Sequence, residues 1–177
     1  MQIKLFNKDQ GIFVFQLDHN NYIKFCPQRG GVITNWISDG KEILYFDEKR
    51  FIDKTKSIRG GIPILFPICG NLNTSSSVFG KDFLQLTQHG FARDLQWQYS
   101  VNEKEKSLIL TLNESKKTKK YYPFDLGVIW SDPPRRMICL EPWTSPRNSF
   151  IDGFRNIMIP SNDSQRFNAS IQIKSLQ

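Results

Sequence analysis

Glu141, His89, Arg59, Arg93 and Trp143 are the side chains whose type and surroundings could do chemistry. Glu141 lies in "RMICLEPWTSP"; if 137–141 is a strand, Met137, Cys139 and Glu141 share one face. A carboxylate closing an otherwise apolar row, just before Pro142, would sit near a sheet rim. Partial burial there disfavours the charged form and suits a general base. The competing reading is a rim carboxylate paired with Arg135, Arg136 or Arg147. Trp143 offers a flat apolar surface suited to the C–H face of a sugar ring, or serves as a core aromatic with its N–H bonded. His89, in "TQHGFARDLQW", is one of two histidines; the other, His19, falls in a hairpin turn. His89 is therefore the imidazole with scope for acid or base work, against the plainer reading of a turn residue. Arg59 and Arg93 each carry a planar five-donor fork that can grip a hydroxyl pair or a phosphate.

The elements that must position these groups read as strands. Alternation of apolar and polar residues, rich in β-branched and aromatic types, dominates the chain. "GIFVFQLD" and "NYIKFCP" flank the polar turn "HNN" and predict a hairpin over 11–27. "GVITNWIS", the turn "DGK" and "EILYF" predict another over 31–46. "WQYSVNEKEKSLILTLNE" predicts a hairpin with "NEKEK" at its tip, and "DLGVIW", "RMICLEPW" and "ASIQIKSL" supply further strands. The one weak helix candidate is "KRFIDKTKS". This pattern implies an all-β sandwich or barrel. Between 58 and 94 it breaks down: Pro63 and Pro67 cannot donate to a ladder, so "PILFP" is expected in irregular backbone. Such a segment, carrying Arg59, His89 and Arg93, makes a plausible binding wall on a rigid sheet, or else a long surface connection.

The length of 177 residues fits a single domain, which can bury roughly 70% of the surface of its unfolded chain. With 39% hydrophobic and 13% aromatic residues the chain is expected to pack a core. A formal charge of +7 favours anionic partners such as phosphorylated metabolites, although Lys116, Lys117, Lys119 and Lys120 read equally as a solvated cluster. Cys26, Cys69 and Cys139 are widely spaced beside apolar residues, without metal-ligand or disulfide spacing. They read as buried reduced thiols, which suits a cytoplasmic protein. "MQIKLFNKDQ" lacks the apolar stretch of a signal peptide, and no run reaches transmembrane length. The two "RGG" triplets run straight into "VITNW" and "IPILF" and are not an RNA-binding repeat. Phosphate-binding, dinucleotide, nucleophile-elbow and zinc motifs do not occur.

Four stretches, taken together and in order, resemble a known family. "RGGVITNW" with "GKEILYFD", then "SIRGGIPILFP" with "CGN", then "QHGFARDLQW", then "CLEPWTSPRN" are similar to the aldose 1-epimerase (galactose mutarotase-like) superfamily. The resemblance is nearest to its glucose-6-phosphate 1-epimerase-like branch. It implies an antiparallel β-sandwich and an isomerase that interconverts the α and β anomers of an aldose or hexose 6-phosphate. In that reaction a carboxylate takes the anomeric hydroxyl proton while an acid protonates the ring oxygen, and no cofactor or metal is required. By resemblance Glu141 matches the base, His89 the first of two active-site histidines, Arg59 the substrate-contacting arginine of "RGGIP", and Arg93 a further contact.

The resemblance also shows a departure. The family carries a second histidine in a "HPYF"-like segment, whereas here "KKYYPFD" runs directly into "LGVIWSDPPRRMICLEPW". The chain therefore reads as one domain over 1–177 made of the two flanks of the family domain, joined near 124–126. Lost strands would leave unpaired edges. The usual ring-oxygen acid would be lost as well, unless His89 or a water replaces it. A reduced sandwich with weakened or lost epimerase activity is the expectation. A non-catalytic carbohydrate-binding protein using Arg59, His89, Glu141 and Trp143 is the alternative. A nucleic-acid-binding protein, resting on charge alone and on "KKTKKYY", ranks below both. The expected partner is thus a sugar, with neither nucleic acid nor membrane, and the expected state a monomer.

Overall fold

The computed structural model describes residues 2–66, 68, 70–71 and 87–113, together with the backbone of 126–130 and 139–143. Five strands form one antiparallel meander in chain order: β1 (Gln2–Asn7), β2 (Ile12–Gln16), β3 (Tyr22–Cys26), β4 (Val32–Ser38) and β5 (Lys41–Glu42). The expected hairpin over 11–27 is β2 and β3. Its turn is held by the Asp18 carboxylate, which accepts from the Asn20 amide at 2.8 Å and from the Asn21 side chain at 3.1 Å. Between β4 and β5 lie two residues, Asp39 (φ 49°) and Gly40 (φ 75°). Left-handed backbone at both positions matches the strand twist in a two-residue hairpin.

Two strands differ from expectation. β5 ends at Glu42 rather than running through "EILYF". The Glu42 carboxylate accepts from the Trp36 and Leu44 amides at 3.0 and 3.1 Å and from the Asn35 side chain at 2.7 Å. The Ile43 amide still donates to the Trp36 carbonyl at 2.8 Å, but the Glu42 carboxylate takes the Trp36 N–H in place of a backbone carbonyl, and the strand goes no further. β1 was not anticipated at all. Its Leu5 and Phe6 are 52% and 57% exposed, so no one-sided burial shapes its sequence. Pairing with β2, with a register slip between Leu5 and Asn7, makes it a strand.

Residues paired across strands share a face. One face of the meander carries Phe13, Phe15, Ile23, Phe25 and Ile33. Onto it packs the third expected hairpin, β6 (Gln98–Asn102) and β7 (Ser107–Thr111). The Tyr99 ring lies 5.1 Å from that of Phe13 and 5.4 Å from that of Phe25, so one sheet covers another. The opposite face carries Ile12, Cys26 and Val32, which form a buried cluster with Phe51 and Ile58, and Phe46 packs against it. Phe51 is delivered by α1 (Glu48–Ile52), which overlaps only the first four residues of the weak helical stretch; Asp47 caps it by accepting from the Arg50 amide at 3.0 Å. Arg29 ties this helix to the sheet, its guanidinium lying 4.7 Å over the Phe51 ring and donating to the Phe51 carbonyl.

Further along, "DLGVIW" and "RMICLEPW" supply the strands expected of them, β8 (Leu126–Trp130) and β9 (Cys139–Trp143), and the two pair antiparallel. "ASIQIKSL" lies outside the described residues. The fold is all-β and antiparallel. Among the described residues no helix is long and apolar enough to cross a membrane.

Candidate active site

Arg59 follows the buried Ile58 and is placed by its backbone. The Asp47 amide donates to the Arg59 carbonyl at 3.1 Å, and Phe46 forms an antiparallel bridge with Gly60. Gly60 (φ 79°) and Gly61 (φ 68°) let the chain press against its neighbours. A Cβ on Gly60 would stand 2.3 Å from the Tyr45 carbonyl oxygen, and one on Gly61 2.4 Å from that of Ile33. From there Ile62 bridges Ile33, and 62–66 continue outside any named strand, as the prolines require.

That irregular segment anchors the histidine. The Phe66 carbonyl accepts from the amides of Phe91 and Ala92 at 2.9 and 3.1 Å, and Phe66 forms a parallel bridge with Gly90. His89 is half-buried at φ 68°, and Gly90 follows at φ 69°. A non-glycine residue in left-handed backbone is uncommon. Two hydrogen bonds join it to Gly70: the His89 amide donates to the Gly70 carbonyl at 2.8 Å, and the Gly70 amide donates to His89 Nδ1 at 2.9 Å.

Arg93 occupies a 3-10 turn at Ala92–Asp94 and donates from Nη2 to the Gln88 carbonyl at 2.7 Å. It thus braces the peptide that leads into His89 and keeps other N–H donors. Burial is the main influence holding the Arg93 guanidinium below the ordinary arginine range. Asp94 opposes that shift and the positive charge of Arg59 reinforces it. The charge of Arg59 thus reaches Arg93, more than thirty residues away in sequence. Concentrating two cations favours an anion or a row of hydroxyls.

The floor under this loop is the turn after β3. The Gly30 amide donates to the Leu95 carbonyl at 2.9 Å, and the Trp97 amide to the Pro27 carbonyl at 2.8 Å. Trp97 Nε1 donates to the Ala92 carbonyl at 2.9 Å. Gly30 and Gly70 belong to the site's framework, and reading the side chains for chemistry passed over both. The signal available for Gly30 was its "RGG" triplet, and for Gly70 its place in "CGN".

The structure thus places His89 and Arg93 on one turn, and the positive charge of Arg59 is felt at Arg93. Glu141 stands on β9 opposite Val128, with Trp143 two residues on and opposite Leu126. The strand's alternation puts positions 139, 141 and 143 on one face, as expected for Cys139 and Glu141, while Met137 lies outside the described residues. The side chains of Glu141 and Trp143 lie outside the described residues. Among the described residues no cluster of His, Cys, Asp and Glu could hold a metal ion.

The profile of the aldose 1-epimerase family matches residues 14–130. The chain belongs to the aldose 1-epimerase family. The match runs from within β2 to the end of β8 and takes in Arg59, His89 and Arg93; Glu141 and Trp143 follow it. Curated relatives carry the name "Putative glucose-6-phosphate 1-epimerase". One from Cenchrus ciliaris is 39% identical over 69 residues, 38% of this chain and 18% of its own length. One from Salmonella typhimurium is 28% identical over 117 residues, 64% of this chain and 37% of its own length. This aldose 1-epimerase family chain therefore spans less than half the length of those relatives. The crystal structure of the Slr1438 protein from Synechocystis sp. PCC 6803 is 41% identical, with a TM-score of 0.49. That match covers 63% of this chain and 39% of the other.

Proposed function

We propose that this chain acts as a mutarotase-type isomerase on an aldose or hexose 6-phosphate, with activity below that of full-length family members. The observation that carries the reading is the match of the family profile to residues 14–130, a span that takes in Arg59, His89 and Arg93. In the proposed reaction Glu141 takes the proton of the anomeric hydroxyl. The oxygen's electron pair forms the carbonyl, and the C1–O5 bond breaks with its pair going to the ring oxygen, which is then protonated. Rotation about C1–C2 and closure on the other face give the second anomer. Arg59 and Arg93 bind the sugar or its phosphate, and Trp143 stacks on the ring. The pair of cations and the printed names of the curated relatives both favour a 6-phosphate.

A single imidazole underlies the reduced rate. The chain's other histidine, His19, is exposed in the turn between β2 and β3. We also propose that the two flanks of the family domain meet near 124–126, a junction that the nucleotide sequence across those codons tests directly.

Exchange NMR or polarimetry with glucose 6-phosphate and with galactose measures the activity. A positioned general base contributes ~10²–10⁴-fold, so Glu141→Gln is expected to lower turnover by about that factor while sugar affinity persists. Absence of wild-type turnover, with sugar affinity unchanged in Glu141→Gln, would instead identify a carbohydrate-binding protein.

A further inference from the structure

We infer that the backbone of Gly70 holds His89 as a neutral imidazole with its hydrogen on Nε2, so that His89 donates a hydrogen bond to the sugar. On this account the proton that the ring oxygen takes up on opening comes from water. The inference rests on the mutarotase reading for its substrate, and on the geometry around Gly70 for everything else.

The Gly70 amide donates to His89 Nδ1 at 2.9 Å. A nitrogen that accepts a hydrogen bond must offer a lone pair, so the hydrogen of the neutral ring resides on Nε2. The bond is not a chance approach of a mobile side chain. The His89 amide returns a 2.8 Å bond to the Gly70 carbonyl, so the two residues are joined at both backbone and ring. The left-handed backbone of His89 (φ 68°) and of Gly70 (φ 79°) sets the two residues in this reciprocal arrangement. Arg93, bonded to the Gln88 carbonyl, steadies the other side of the turn.

The tautomer decides the chemistry. A neutral Nε2–H gives a hydrogen bond to a sugar oxygen, whichever acceptor it meets before the sugar arrives. It does not release its only ring proton, because that would leave an imidazolate. An imidazolium could release one, but its second proton would sit on Nδ1 and face the Gly70 N–H, donor against donor. The ring opening then balances with a water: Glu141 gains the hydroxyl proton, O5 gains a proton from water, and the resulting hydroxide is neutralised by the proton that Glu141 gives up. His89 polarises the oxygen throughout and is unchanged at the end.

Nitrogen-15 NMR of histidine-labelled protein tests this, with His19→Gln removing the only other imidazole signal. Near neutral pH the expected spectrum shows a pyridine-type nitrogen at Nδ1 and a pyrrole-type nitrogen at Nε2. Hydrogen on Nδ1, an imidazolium, or a spectrum averaged between tautomers overturns the inference. Saturating glucose 6-phosphate is then expected to move the Nε2 resonance and leave Nδ1 pyridine-type; an unmoved Nε2 removes the donor role. The sugar-free spectrum needs no turnover, so failure of the mutarotase reading, seen by polarimetry, stays distinct from failure of the tautomer.

Discussion

Asp53, just past α1, gathers three donors on one carboxylate. Thr55 donates from its hydroxyl at 2.6 Å and from its amide at 3.0 Å, and Lys56 Nζ lies 2.9 Å away. The Thr55 hydroxyl and then Lys56 hold the Asp53 carboxyl down at about 2, against an ordinary 3.8. A depressed folded-state value adds stability that is present above the unfolded value and lost as pH falls through the folded one. Asp53→Asn is therefore expected to be less stable than wild type above pH ~4, with the gap closing as pH approaches 2. Urea unfolding of both proteins across that range checks the trend, and a gap that widened on acidification would contradict it. Such a local motif can be read in "DKTK". His89 is harder to read: "HG" announces a turn, but the partner that fixes its ring is Gly70, nineteen positions away. Hydrogen bonds made across that distance leave no periodic trace in the sequence.

At the scale of elements, β2, β3, β4, β6 and β7 were visible because their sequences are rich in β-branched and aromatic residues that alternate with polar ones between turn residues. β1 and the short β5 were not. One is a strand by pairing, with its apolar side chains exposed, and the other is cut short by a glutamate side chain. The irregular wall at 58–66 was visible from its prolines, but the reason it holds still lies in glycines. Gly30 makes the clearest case. It has φ 69°, and a Cβ there would stand 2.3 Å from the Arg93 Cα, so the 92–95 segment must move to admit one. Gly40 has a similar φ of 75°, yet a Cβ there meets only the Asn20 side chain at 3.6 Å, an ordinary contact. Left-handed backbone costs a non-glycine residue about 1–2 kcal/mol. Gly40→Ala is expected to lose about that much, and Gly30→Ala distinctly more. Denaturant unfolding of the two variants isolates the close approach, and equal losses would show that the seat beneath Arg93 is soft.

For the whole molecule, family membership was readable from motifs in order, and the first three of the four fall within the span that the family profile matches. Spacing alone did not show which residues meet. Arg59 is fixed to α1 and β4 through Asp47, Gly60 and Gly61, whereas His89 and Arg93 are fixed to Phe66, Gly70 and the turn after β3. A ligand that spans Arg59 and Arg93 must bridge these two sets of anchors. Binding to the folded state alone stabilises by about 2.7 kcal/mol at a hundredfold excess over Kd, and for a chain of this length each kcal/mol raises Tm by about 2–4 °C. Glucose 6-phosphate is accordingly expected to raise Tm by several degrees, and glucose at the same concentration by less. Arg59→Ala should bring the two sugars level. Thermal melts of both proteins with each sugar decide it. If wild type already treats glucose and glucose 6-phosphate alike, the paired guanidiniums do not read the phosphate, and they bind sugar hydroxyls instead.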